Sequence, residues 1–102
     1  MQAKLRDDIL LEQARSGNQR AFGELVERHE AAVRGIVSGM VGPSLAEDVA
    51  QEVFIKFYRA LDKFAGKAKL STYLGRIAIN TALTSLEKRK RRPMQLGVEE
   101  PE

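Results

Sequence analysis

Apolar residues recur along this chain at helical spacing, in four clusters. The first is short, with Ile9, Leu10 and Ala14 on one stripe and Gln13 among them. Asp7 or Asp8 is placed to cap it, and Gly17 to stop it. The second begins after Asn18, a good N-cap, with Phe22, Leu25, Val26, Val33, Ile36, Val37 and Met40 at i, i+3, i+4 and i+7 intervals. His29 falls on the same stripe. Gly42 and Pro43 then break the pattern. The third segment opens with "SLAE", a capping-box pattern with Ser44 at the cap and Glu47 three residues on. Val49, Ala50, Val53, Phe54, Phe57, Leu61 and Phe64 form its apolar face, and Asp48, Gln51, Glu52, Ile55, Lys56 and Arg59 form the other. After the loop "AGKAK", Ser71 or Thr72 recaps a fourth segment. There Leu74, Ile77, Ala78, Thr81, Ala82 and Leu86 face inward, and Arg76, Asn80, Leu83 and Glu87 share another face. Pro93 is expected to stop this helix. No strand alternation, repeat or low-complexity tract is present. The pattern predicts an all-α fold, a compact bundle of three to four helices with a basic loop before the last one. Residues 1–92 form the expected domain, and 93–102 a linker or disordered tail.

Composition narrows the class. At 102 residues, with 43% hydrophobic and 30% charged residues, the chain suits one small globular domain. It has no cysteine, which excludes disulfides and thiolate metal sites. The N-terminus lacks the apolar run of a signal peptide or membrane span. These features fit a cytoplasmic protein with no membrane partner.

Charge changes the picture more. Net charge is +3, but residues 62–92 hold nine Lys/Arg against two acids. Residues 1–61 hold eight against nine, and the last ten residues hold three acids and no base. The basic excess is thus one segment, and it points to a polyanion or an acidic partner. The plainer alternative is a solvated helix end.

The residues do not indicate an enzyme. His29 is the only histidine, and "HEAAV" lacks the second histidine of a zinc-protease helix. "GKAK" lacks the glycine frame and hydroxyl of a phosphate loop. The acids of the third segment have no cleft to act in. No metal, cofactor or small-molecule substrate is implied.

The order of features is more specific. "LVERHEAAV", a Gly-Pro break, "AEDVAQEVFIKFYRALDKF", a small loop, "LSTYLGRIAIN" and a basic run follow one another. Over about residues 5–92 this resembles conserved region 2 of bacterial sigma factors, most of all the extracytoplasmic-function group. The resemblance implies docking on the clamp helices of the beta-prime subunit of RNA polymerase. It also implies recognition and melting of the promoter −10 element, with one non-template base captured out of the stack. By position, Asp48, Gln51 and Glu52, with Ile55 and Lys56 a turn further, match the polymerase-binding face. A merely solubilising face is the alternative, and the half-apolar character given by Ile55 favours a partner.

Gly66, Lys67, Ala68, Lys69, Leu70, Ser71, Thr72 and Tyr73 match the base-capture segment. Gly66 permits a tight turn and close approach. Lys67 and Lys69 neutralise phosphates. Tyr73 offers a wall for the base, and Ser71 and Thr72 offer polar contacts. Leu70 reads better as core, and Ser71 fits both capping and contact. Arg76 suits a phosphate or stacking. Asn80 matches a position that contributes to −10 base choice, since an amide pairs with a base edge in both directions. Lys88, Arg89, Lys90, Arg91 and Arg92 add backbone electrostatics without sequence reading. The family often carries Phe at Leu70, Trp at Tyr73, an aromatic at Gly75 and an acid near Lys67, so weaker stacking and stronger backbone attraction are expected here. The family's −35-reading domain would follow the tail, and the chain is expected to be a fragment. The alternative functions are a helical interaction module bound by an anti-sigma factor and a nonspecific basic nucleic-acid binder.

Overall fold

The computed structural model describes residues 5–64 and 69–96, with side chains to Lys90 in the last helix. Four helices account for nearly all of it: α1 (Asp7–Arg15), α2 (Gln19–Val41), α3 (Pro43–Arg59) and α4 (Leu70–Leu96). The described residues contain no strand. Helix α2 packs against each of the other three, and α3 packs against α4. The all-α bundle expected from the periodicity is the fold observed.

Asn18 manages two helix ends. Its backbone N–H donates to Gln13 O at 3.0 Å, while the Gly17 N–H donates to Ala14 O at 3.0 Å. This is the Schellman pattern, and it requires the left-handed φ of 98° that Gly17 adopts. The Asn18 side chain then accepts from the Ala21 N–H at 3.1 Å and caps α2. The predicted stop and cap are both present.

Four predicted boundaries move. Arg6, not an aspartate, holds the N-cap position of α1, with extended backbone and no side-chain cap. Asp7 lies in the first turn, and its carboxylate is drawn to α2 instead. It pairs with His29 Nε2 at 2.8 Å and with Arg28 Nη1 at 3.2 Å. His29 therefore ties α1 to α2. Next, Ser44 does not cap α3: Gly42 occupies the cap position and Pro43 begins the helix. Proline is preset for that first position, and its missing N–H costs nothing there, so the helix starts earlier than the capping box indicates. Gly42, with φ of 87°, is the whole connection between α2 and α3. Finally, α4 begins at Leu70, with Lys69 O accepting from the Tyr73 N–H at 3.1 Å, so Ser71 lies inside the first turn. Burial of Leu70 in the core fixes that start. At its other end α4 runs past Pro93 to Leu96. Proline there lacks the N–H of one ladder bond, which is the reason a stop was expected.

The core follows the predicted stripes. Leu25, Val37, Val53, Phe57, Ala78 and Ala82 are wholly excluded from solvent. The exception is α1, where Leu10, Leu11 and Ala14 are buried and Ile9 is exposed, so the stripe is shifted around the helix. Phe57 stacks on Phe22 of α2 at 5.5 Å between ring centres and meets Tyr73 of α4 edge-on at 6.4 Å. Replacing Phe57 with alanine should lower unfolding free energy by about 3–5 kcal/mol. Urea titration followed by far-UV circular dichroism checks this. A loss below about 1 kcal/mol would show that the ring is not a keystone of the core.

Candidate nucleic-acid and partner-binding surfaces

The start of α4 is built against α1 and the turn after α3. Phe64, Lys69, Leu70 and Ser71 line an open cavity of about 550 Å³, closed on its other side by Arg6, Asp7, Asp8 and Leu11. Phe64 and Leu70 give it apolar walls, while Lys69 and Ser71 are exposed at its rim. A hydrogen bond from Arg6 holds the Asp8 carboxyl below its ordinary pKa, and a guanidinium and a carboxylate are both charged at neutral pH, so this rim carries both signs. A cavity with apolar walls and polar edges is what an unstacked base requires.

The predicted base-capture residues separate into three groups. Lys69, Ser71 and Thr72 are exposed and available. Leu70 is core at its inner side yet still lines the cavity. Tyr73 is only half exposed. Its ring lies 4.4 Å from that of Phe64, between the centres, and it does not line the cavity. The aromatic wall there is Phe64, which the sequence reading had assigned to the core alone. Gly66, Lys67 and Ala68 lie outside the described residues. Gly75 lies toward α2: a Cβ on it would meet Ile36 Cδ1 at 3.8 Å, an ordinary van der Waals contact.

Further along α4, Arg76 and Asn80 are exposed one turn apart. Lys88, Arg89 and Lys90 are exposed two to three turns on. Arg91 and Arg92 continue the helix, with side chains outside the described residues. Ile79 and Leu83, exposed at 44% and 47%, give the Asn80 neighbourhood an apolar edge. The helical wheel brings out this pair once Asn80 is placed facing outward.

The outer face of α3 is the second surface. Asp48, Gln51, Glu52, Ile55 and Lys56 are all exposed, Ile55 at 50%. The first four form one connected strip. Lys56 leans away, its Nζ donating to Thr81 Oγ1 of α4 at 3.1 Å and lying 3.7 Å from Glu52 Oε2. Beside the strip, Val26, Ala50, Phe54 and Ile55 line a groove of about 390 Å³ between α2 and α3.

That groove contains residues the sequence reading missed. Arg34 of α2 reaches Glu47 Oε1 of α3 at 2.5 Å and Glu30 Oε2 at 2.9 Å, and Gln51 Nε2 donates to Glu47 Oε2 at 3.3 Å. The bond to Glu47 raises the Arg34 pKa above its ordinary value. Arg15 was missed as well: it spends its guanidinium on backbone carbonyls of the turn after α3. Contacts between residues this far apart in sequence leave no periodic mark. Among the described residues, no cluster of metal-ligating side chains occurs and no helix is long and apolar enough to cross a membrane.

The sequence and the folded shape match a known class. The model of Sigma-70 region 2 matches residues 25–92. The ECF RNA polymerase sigma-E factor of Escherichia coli strain K12 is 43% identical over 99 residues, which are 97% of this chain and 52% of that protein. Its counterpart in Haemophilus influenzae is 40% identical over 91% of this chain and 49% of that protein. The NMR structure of an engineered region 2 of sigmaE, in complex with GTAAAA, superposes with a TM-score of 0.85 at 46% identity, covering 90% of this chain and 97% of that one. The structure of CnrH in complex with the cytosolic domain of CnrY matches with a TM-score of 0.69 at 39% identity, covering 76% of this chain and 51% of that one. The chain belongs to the sigma-70 region 2 family, within its extracytoplasmic-function group. It spans about half the length of the curated relatives it matches.

The Arg34 bridge is partly exposed, so its contribution should depend on salt. Arg34→Gln is expected to lower the urea midpoint in dilute buffer. The difference should close in about 1 M salt, where the screening length is about 3 Å. A midpoint difference that persists there would mean that Arg34 acts through packing rather than charge.

Proposed function

We propose that this chain is the part of a transcription initiation factor that docks on the beta-prime clamp helices of RNA polymerase and reads the promoter −10 element. It binds the non-template strand, helps melt the element and captures one flipped base. It is not an enzyme, needs no cofactor, and works in the cytoplasm where promoters are opened.

One observation carries this reading. The exposed residues at the start of α4, followed by Arg76 and Asn80 one turn apart, stand on a fold that superposes closely on a region 2 solved with GTAAAA. Around the cavity the roles divide by chemistry. Phe64 and Leu70 offer the base an apolar wall, Ser71 and Thr72 offer polar edges, and Lys69, with Lys67, offers charge to phosphates. Tyr73 acts from behind, by backing the Phe64 ring. Gly66 and Ala68 complete the capture segment. Asn80 reads a base edge through its amide, and Arg76 holds a phosphate. Lys88, Arg89, Lys90, Arg91 and Arg92 attract the backbone along the helix.

The α3 strip of Asp48, Gln51, Glu52 and Ile55, with Lys56 at its border, is the polymerase-binding face. Acids around an exposed isoleucine suit a partner surface with basic and apolar residues. A regulator is the second reading, favoured by the likeness to CnrH bound to the cytosolic domain of CnrY. An anti-sigma factor covering the α3 strip would compete with polymerase for it.

The test is a screen of short single strands, GTAAAA among them. A preferred strand should emerge, and Asn80→Ala should cost it about 1–3 kcal/mol. Lys69→Ala should weaken all strands alike. With about three phosphates neutralised, log affinity should fall against log salt with a slope near −2. If no strand is preferred at low salt, the base-reading proposal is wrong. Separately, Asp48→Lys should abolish binding to a fragment carrying the beta-prime clamp helices and leave strand binding intact. Unchanged binding to that fragment would reject the α3 assignment.

A further inference from the structure

Among the described residues of the turn after α3, the Ala60 carbonyl takes two backbone hydrogen bonds. Ala60 O accepts from the N–H groups of Lys63 at 2.9 Å and Phe64 at 3.1 Å. The carbonyls of Leu61 and Phe64 take no part in this. Both are served by one side chain from a different helix, 46 and 49 residues away in sequence. Arg15 Nε donates to Leu61 O at 2.9 Å, its Nη2 donates to Phe64 O, and its Nη1 reaches Glu12 Oε2 at 3.2 Å. Each of the three guanidinium nitrogens thus makes one hydrogen bond, with the side chain 25% exposed. Arg15 itself is the last residue of α1, held by the Ser16–Gly17 turn.

The bridged segment ends at Phe64, the aromatic wall of the cavity at the start of α4. The Phe64 ring is fixed from one side by Tyr73. Its backbone is fixed from the other by Arg15. We propose that Arg15 is a positioning residue for base capture: it sets where the Phe64 wall stands, and so determines which base the cavity prefers, without touching nucleic acid. A planar fork can span two carbonyls, whereas a lysine ammonium delivers a compact point charge and cannot hold both in one geometry. Displacing a binding wall alters the fit of the base against it and leaves in place the phosphate attractions that supply general affinity. This inference rests on the base-reading proposal above.

The experiment compares the wild-type domain with Arg15→Lys and Arg15→Ala. For each, affinity is measured for the preferred strand and for a scrambled strand of the same composition, at several salt concentrations. Binding to the beta-prime clamp-helix fragment and far-UV circular dichroism are measured alongside. In both variants the ratio of preferred to scrambled affinity should fall about tenfold, the size of one base contact. The salt slope, helicity and clamp-helix binding should stay at wild-type values. If Arg15→Ala does not fold, Arg15→Lys decides, because it keeps the charge and the aliphatic stem. A wild-type ratio in Arg15→Lys overturns the proposal. So does a slope shallower by about 0.7, which would make Arg15 a direct phosphate contact. A loss of clamp-helix binding matching the loss of ratio would reduce Arg15 to general stability and also overturn it. If the wild type itself shows no ratio, the base-reading proposal fails first and this one falls with it.

Discussion

The packing of Phe57 is the constraint on which the other arrangements depend. Its ring has no exposure, and it touches aromatic rings on the helix before and the helix after its own. Phe22 extends the series to Tyr58 at 5.0 Å, and Tyr73 extends it to Phe64 at 4.4 Å. The series therefore runs from α2 through α3 and α4 to the turn that borders the cavity. A close-packed interior does not let one ring move alone. The candidate base wall is thus the outer end of the core, and its position is set by packing that begins on α2.

The connections reinforce this rigidity. One residue, Gly42, joins α2 to α3, and a short turn around Gly17 joins α1 to α2. Both glycines have the left-handed φ that a side chain would strain. Across the α1–α2 joint, Asp7 answers His29 and Arg28. Helix α1 is the shortest of the four and buries only three residues, so these polar ties and the Arg15 bridge do much to hold it. Local stability is lowest where apolar burial is sparse, which makes such ties consequential at this end of the domain.

Much of this was legible in the sequence, because a helix with one buried face repeats itself. The stripes of α2, α3 and α4 and the caps at Asn18 and Gly17 all carry local signals. So does the outward face from Asp48 to Ile55. The misplaced starts have local causes too. Pro43 outcompetes Ser44 for the beginning of α3, and Leu70 carries the start of α4 with it into the core. What was not legible depends on residues far apart in the chain. Nothing near Arg15 in sequence announces Leu61 or Phe64, and nothing near Arg34 announces Glu47. Phe64 carried two signals at once, an apolar position and a loop neighbour, and only the folded arrangement shows that both hold. Tyr73 was the reverse: its place in a family motif suggested a wall, while its ring is taken up by Phe57 and Phe64.

The two outward surfaces lie on helices that share one core, which gives them a fixed relation. Helix α3 turns Val53 and Phe57 inward and Gln51, Glu52 and Ile55 outward, so the outer strip cannot rotate without opening the core. Helix α4 turns Leu74, Ala78 and Ala82 inward and Arg76 and Asn80 outward under the same restriction. Lys56 joins them directly, reaching from the border of the α3 strip to Thr81, the residue after Asn80. Thr81 is buried, so this hydrogen bond satisfies a polar group the core would otherwise leave alone. A partner grasping α3 would therefore present the outer face of α4 at a set angle and height, so that whatever binds α4 meets it at a high effective concentration once both are held by that partner.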